Sequence, residues 1–167
     1  DITYAFIENK GQWDPAVLFK SKFDGGNLWI QNKKFVFHFQ DFSGTHTAHG
    51  NTTLKQEDFD KLKNRQTVVH LNFKNSNNFR IVEKLNPSSN YYNYFIGNDP
   101  TKWASNVRGF NEAKIKNIYN GIDLKLIEDN SKLKYEFHVS PNTSPKAIQL
   151  EFVGQENIFI DKNGNLH

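Results

Sequence analysis

The chain has 167 residues, with 21 basic and 18 acidic side chains for a net charge of +3, and it contains no Cys and no Met. That inventory excludes disulfides, thiol nucleophiles, cysteine metal sites and thiol redox chemistry, while a mean hydropathy of −0.72 and the lack of any long apolar run exclude a helical membrane span. The cations are scattered rather than clustered, so a pI of about 9.0 is no electrostatic footprint for nucleic acid, and no nucleic-acid partner is expected.

Period-two alternation, the mark of a strand with one buried face, runs through the chain from the start. Short strands are expected at 3–7, 17–23 and 27–31, with Asp24-Gly25-Gly26-Asn27 supplying turn residues that tolerate positive φ. Phe35, Phe37 and Phe39 then face one way while Val36, His38 and Gln40 face the other. A polar loop over 43–52 precedes the one helical candidate, 53–64, where Thr53 is placed to cap and Gln56 stands three residues on as in a capping box. The whole stretch 43–66 therefore reads as an excursion from the sheet.

Strands resume with Val69, Leu71 and Phe73 on the apolar side, followed by short candidates at 79–85, 91–96 and 113–119. Asn120-Gly121 is a hairpin turn leading into Ile122, Leu124 and Leu126, and the next alternation places Leu133, Tyr135, Phe137 and Val139 on one face. Ile148, Leu150 and Phe152 form a further strand, with Pro100, Pro141 and Pro145 lying in the loops, where the missing N–H costs no ladder bond. Finally 157–161 reads as a strand and Lys162-Asn163-Gly164-Asn165 as a turn, so a returning strand beginning near Leu166 is expected to continue past His167. The lack of Met at position 1 carries a matching expectation, that the chain begins after processing or trimming.

About ten strands in one domain cannot stay a flat open sheet, because twisted sheets of that width curl or split. The expectation is a single all-β domain over 1–167, a twisted antiparallel β-sandwich with at most one short helix near 53–64. Its buried set is expected to comprise Phe35, Phe37, Phe39, Leu71, Phe73, Leu124, Leu126, Tyr135, Phe137, Leu150 and Phe152.

Candidate chemistry is sparse. His46 and His49 would need a third ligand to hold a metal, and His38, His70 and His138 fall on the polar side of their strands. Asp161-Lys162-Asn163-Gly164-Asn165 imitates the start of a calcium loop but lacks the glycine at its sixth position and the late Glu, so it reads as a turn. Nucleophile-elbow, phosphate-loop and dinucleotide motifs are absent, so no catalytic residue, metal or cofactor is expected. Aromatic side chains carry the remaining functional signal: Trp29, Trp103 and the Tyr91, Tyr92, Tyr94 cluster, flanked by Asn and Asp, have the composition of sugar-stacking surfaces. The competing reading is that they close the ends of the sandwich with their polar tips bonded to backbone.

Four segments in order, FIENKGQW at 6–13, NYFIGNDPTKW at 93–103, IYNGIDLKLIEDNSKLKYEFHVSPNTSPKAIQLEFVG at 118–154 and IDKNGNL at 160–166, resemble a domain of uncharacterised function. That domain stands at the N-terminus of large secreted Bacteroidetes proteins, ahead of repeats expected to form a seven-bladed β-propeller. A usage of 22 Asn, with 18 of the 21 cations Lys, fits an AT-rich genome. Where the resembled family has Tyr-Pro-Gly-Ile-Asp-Leu this chain has Tyr119-Asn120-Gly121-Ile122-Asp123-Leu124, and Pro141-Asn142-Thr143-Ser144-Pro145 replaces a Pro-Gly-Ala-Asp-Pro-like loop; both changes keep turn chemistry.

The resemblance implies export, by the type IX secretion system, and an extracellular or cell-surface location, but no catalytic residues. Function is accordingly expected to be that of a non-catalytic interaction or structural module, its partner a protein, a surface glycan or the downstream domains of its parent. The alternative is a carbohydrate-binding module using Trp29, Tyr91, Tyr92 and Trp103, which exposed aromatic faces would favour and buried ones would oppose. Two carboxylates converging in a deep cleft would instead favour an enzyme.

Overall fold

In the computed structural model, residues 6–23, 25–41, 65–80, 82–129 and 132–167 are described. The 53–64 helix and the His46 and His49 pair lie outside them. Ten strands run β1 (Phe6–Glu8), β2 (Val17–Phe23), β3 (Gly26–Gln31), β4 (Lys34–Asp41), β5 (Arg65–Phe73), β6 (Val82–Tyr94), β7 (Ala104–Tyr119), β8 (Ile122–Asp129), β9 (Lys132–Val139) and β10 (Leu150–Val153). Every pairing is antiparallel. Among the described residues helix is limited to two 3₁₀ turns, Pro100–Lys102 and Pro145–Ala147, each opened by an Asp99 or Ser144 side chain that accepts a backbone N–H. None of the described helices is long and apolar enough to cross a membrane.

The strands form one sheet in the order β10-β5-β4-β3-β2-β1-β7-β8-β9, with β6 along β7. Its two layers arise from how β7 is shared. β6 takes one edge of β7 from Ala104 to Ile115, and both Pro87 and Phe6 pair with Phe110, while both Leu85 and Ile127 pair with Glu112. A strand has two edges only, so β1 and β8 lie end to end along the second edge, and β7 passes from one layer into the other between them. The expected sandwich is thus a single curled sheet folded over its own core.

Register makes the faces explicit. Phe19, Ile30, Phe35, Leu71 and Phe152 are successive cross-strand partners, forming an inward row across β2, β3, β4, β5 and β10. One residue along, Ile7, Lys20, Trp29, Val36, His70 and Val153 form the outward row. In the opposite layer Ala113, Leu126 and Tyr135 and then Ile115, Leu124 and Phe137 point inward. Phe35 meets Tyr135 at 6.2 Å and Phe73 meets Phe137 at 6.3 Å between ring centroids, edge to face, which closes the layers on each other. The outer side of β7–β9 is charged, with Lys125 on Glu112 at 2.8 Å and Lys114 on Asp123 at 3.1 Å.

The expected core holds at Phe35, Leu71, Phe73, Leu124 and Leu126, all buried, and in half-buried form at Phe37, Tyr135, Phe137 and Phe152. Two members are corrected: Phe39 is 41% and Leu150 37% exposed. Both sit near strand ends, Leu150 on a four-residue edge strand, where parity still selects a direction but does not by itself bury the side chain. The candidates 79–85 and 91–96 fuse into β6, and 113–119 extends back to Ala104. Polar residues hid this continuity; Asn86 and Asn106 take φ of 52° beside breaks in the β6–β7 register, where an extra residue bulges out. Strand 157–161 is reduced to one bridge, Ile160 to Leu166, with Phe159 and His167 exchanging two backbone hydrogen bonds. Leu166 and His167 begin the return expected after the turn.

Candidate functional site

The loop from Asn9 to Pro15 is organised by one side chain. Asn9 Nδ2 donates to the carbonyls of Asp14 and Val17, both at 2.9 Å, and its Oδ1 accepts the N–H groups of Gly11 at 3.0 Å and Trp13 at 3.3 Å. Gln12 Nε2 donates to the Glu8 carbonyl at 2.7 Å, and Gly11 sits at φ of 107°, which other residues reach only with strain. This local network aims the Trp13 ring back over the outer face of β2 and β3.

There Trp13 meets Trp29 at 5.5 Å and Tyr94 at 5.4 Å, both edge to face, and Tyr94 continues to Tyr92 at 6.4 Å. Ile7, Ala104 and Val107 are buried beneath them, a second small core outside the main one. Lys20 Nζ lies 4.6 Å from the Trp29 ring centre, a cation–π contact, and burial followed by the charge of Lys22 lowers its pKa. Burial, then the neighbouring Tyr92, raises the Tyr94 phenol.

On the other side of the Asn9 loop a cleft of about 850 Å³ opens, walled by Val17, Phe19, Trp13 and Val82 and edged by Lys84 and Lys102. Lys84 is held by Glu8, whose Oε2 receives its ammonium at 2.5 Å while Oε1 accepts the Arg108 N–H at 3.1 Å. Burial pushes the Glu8 carboxyl up, but the Lys84 hydrogen bond, the Arg108 N–H and the charges of Lys84 and Lys10 together bring it below its ordinary 4.5. Asp14 is the one carboxylate among the described residues lining this cleft, and no three His, Cys, Asp or Glu residues group together among the described residues.

The far end of the β6–β7 ribbon carries exposed apolar surface. Phe95 is 60%, Ile96 77% and Trp103 44% exposed. Phe95 packs edge-on against Trp103 at 5.8 Å, and Trp103 Nε1 donates to the Gly97 carbonyl at 3.2 Å, fixing the tip around the Asp99-capped turn.

The four residues singled out from sequence divide accordingly. Trp29 and Tyr92 belong to one cluster, joined through Trp13 and Tyr94, whereas Trp103 is at the ribbon tip and Tyr91, 60% exposed, pairs with Arg108 away from both. Trp13 was missed. Its signal was the FIENKGQW segment, in which Asn9, Gly11 and Gln12 are the residues that turn the chain and place the ring. His38 bonds Gln66 at 3.0 Å and His138 bonds Glu136 at 3.2 Å, both as polar-face residues. Asp161 Oδ1 accepts the N–H groups of Asn163 at 2.8 Å and Asn165 at 2.9 Å, so the segment resembling a calcium loop closes as a turn on its own carboxylate.

Residues 6–167 match the profile of a domain of unknown function, DUF7948. The chain belongs to that family. The match takes in the Asn9 loop, the ribbon tip and both layers of the DUF7948 fold. No curated protein and no solved structure matches the chain.

Proposed function

We propose that this DUF7948 domain is a non-catalytic interaction module of a secreted or cell-surface multidomain protein, and that it docks on a protein partner through the tip of the β6–β7 ribbon. The observation that carries this reading is the exposure of Phe95, Ile96 and Trp103 together on a tip whose shape is set by its own hydrogen bonds. Burying each such side chain at an interface is worth roughly 1.5–3 kcal/mol. Asn98, Asp99 and Lys102 surround the apolar centre with polar groups, the arrangement of a hot spot inside a hydrated rim. Export through type IX secretion and an extracellular location are proposed on the four-segment resemblance, and the downstream domains of the parent are one source of the partner surface.

The carbohydrate-binding alternative draws its support from Tyr91 and Trp103, the exposed members of the aromatic set. Trp29 speaks against it, since Lys20 covers its ring and Trp13 abuts it. A photo-crosslinking residue placed at Ile96 in the secreted parent protein tests the docking reading. A discrete protein adduct, intermolecular or to another domain of the parent, and lost in Phe95→Ser/Trp103→Ser, is the expected result. Absence of any adduct together with glycan binding abolished by Tyr91→Ala would overturn it for the sugar reading. Cell fractionation of the producing organism checks the location.

A further inference from the structure

At the opposite end of the β6–β7 ribbon, three turns meet around a pocket of about 460 Å³: the β3–β4 turn at Lys33, the loop after β5 at Ser76–Arg80 and the β7–β8 turn at Lys116–Asn120. That volume falls in the range of small-ligand sites. Its lining contains three cations, Lys33, Arg80 and Lys116, and no carboxylate among the described lining residues. Lys116 is partly neutralised from outside, by Glu83 at 3.5 Å and Asp123 at 3.7 Å. Lys33 and Arg80, both exposed, make no ion pair among the described residues.

Three of the four lining asparagines show the same polarity. Asn78 Oδ1 accepts from Asn32 at 3.3 Å, Asn117 Oδ1 from the Gly121 N–H at 3.1 Å and Asn120 Oδ1 from Asn77 at 3.1 Å. Each spends its acceptor inside the protein, and among the described residues the Nδ2 groups of these three have no partner. Ser76, 5% exposed, contributes to the floor a buried hydroxyl with no hydrogen-bond partner, a group that natural interiors seldom leave unmatched. The backbone is held firmly enough to present these donors. Asn77 Nδ2 bridges to the Asn117 carbonyl at 2.9 Å, its N–H reaches the Ile118 carbonyl at 2.8 Å, and Asn117 occupies φ of 52° as the bulge that makes the turn.

A pocket with three cations and three amide donors, in which the Asn78, Asn117 and Asn120 acceptors are taken up and the Asn77 Oδ1 alone of the lining amide oxygens accepts nothing among the described residues, matches a ligand made of acceptors. The geometry points to an oxyanion site, taking a sulfate or phosphate group either free or as the ester of a hydroxylated molecule such as a sugar. Arg80 and Lys33 supply the charge, and the amide groups of Asn78, Asn117 and Asn120 are the donors for the remaining oxygens. This site stands apart from the ribbon tip and does not depend on it.

Amide NMR titration of the 167-residue chain with sodium sulfate, sodium phosphate, galactose 6-sulfate and galactose, against sodium chloride at matched ionic strength, decides the matter. Saturable shifts at Asn77, Asn78 and Asn117 are expected with the oxyanions and not with chloride or galactose. The Lys33→Gln/Arg80→Gln variant, which alters exposed side chains only, is expected to weaken binding at least about tenfold while keeping the amide dispersion of the folded chain. Tighter binding of galactose 6-sulfate than of sulfate would mark the ester as the source, and equal binding the free anion; both support the site. Galactose binding as well as its sulfate, no saturable shift with any oxyanion, or unchanged affinity in the double variant would overturn it.

Discussion

The Glu8 carboxylate receives the Lys84 ammonium at 2.5 Å, tying the shortest strand of the sheet to the long β6–β7 ribbon. Glu8 is a cross-strand partner of Phe19, so parity turns it toward the inside, and at 9% exposure it remains an anion only because its two oxygens find a cation and the Arg108 N–H. Glu8→Leu and Glu8→Gln separate these parts. The first leaves Lys84 and the Arg108 N–H without their acceptor and is expected to cost about 1–3 kcal/mol by urea denaturation, the second less, since an amide oxygen still accepts.

The pH dependence of stability follows from the same residue. The folded pKa of Glu8 lies below its ordinary 4.5, so its contribution is fully present above that value and is lost as pH falls through the folded value. Thermal melts from pH 7 to pH 3 are expected to show a fall in Tm beginning below about 4.5 that is shallower in Glu8→Gln. An identical slope in the variant would remove Glu8 from the acid response.

Trp13 holds Trp29 and Tyr94 together from the loop between β1 and β2. Trp13→Ala is expected to cost about 2 kcal/mol, less than the 3–5 typical of a fully buried ring because Trp13 is half-buried. Near-UV circular dichroism should lose the coupled indole signal of the 5.5 Å pair, with far-UV strand signal unchanged.

Gly154 follows β10 at φ of 98°, and a Cβ there would stand 2.4 Å from the Val68 carbonyl oxygen, a backbone atom that cannot step aside. Gly154→Ala is therefore expected to destabilise by about 1–3 kcal/mol and to raise amide exchange at Leu150–Val153 first, by prying that edge strand from β5.

Asp161 accepts from the Asn165 and Asn163 backbone and from His167, and the Asn165 N–H together with the His167 ring holds its carboxyl down at about 2. A carboxyl carbon titration is expected to give that midpoint and to move up toward 3.8 in Asn165→Pro, which removes the strongest donor. A midpoint already at 3.8 in the unaltered chain would mean the turn is open in solution.

Strand existence was legible wherever alternation was apolar, because period two is a local consequence of the pleat: β4, β5, β8 and β9 follow directly from Phe35 to Phe39, Val69 to Phe73, Ile122 to Leu126 and Leu133 to Val139. The β7–β8 turn was likewise set by Asn120-Gly121. Strand length in β6 and β7 was not, since residues such as Asn86, Pro87 and Asn106 break the pattern, and only pairing between the two chains of the ribbon carries the ladder past them. Parity in β4 and β10 told which way Phe39 and Leu150 point but not whether they would be buried, for that depends on where the sheet curls. The aromatic composition of the site was visible as single residues. Its grouping was not: Trp13, Trp29 and Tyr94 are far apart in the chain, and a register of hydrogen bonds between strands brings their rings into contact. The same holds for the oxyanion pocket, whose donors come from three turns that only the folded sheet places side by side.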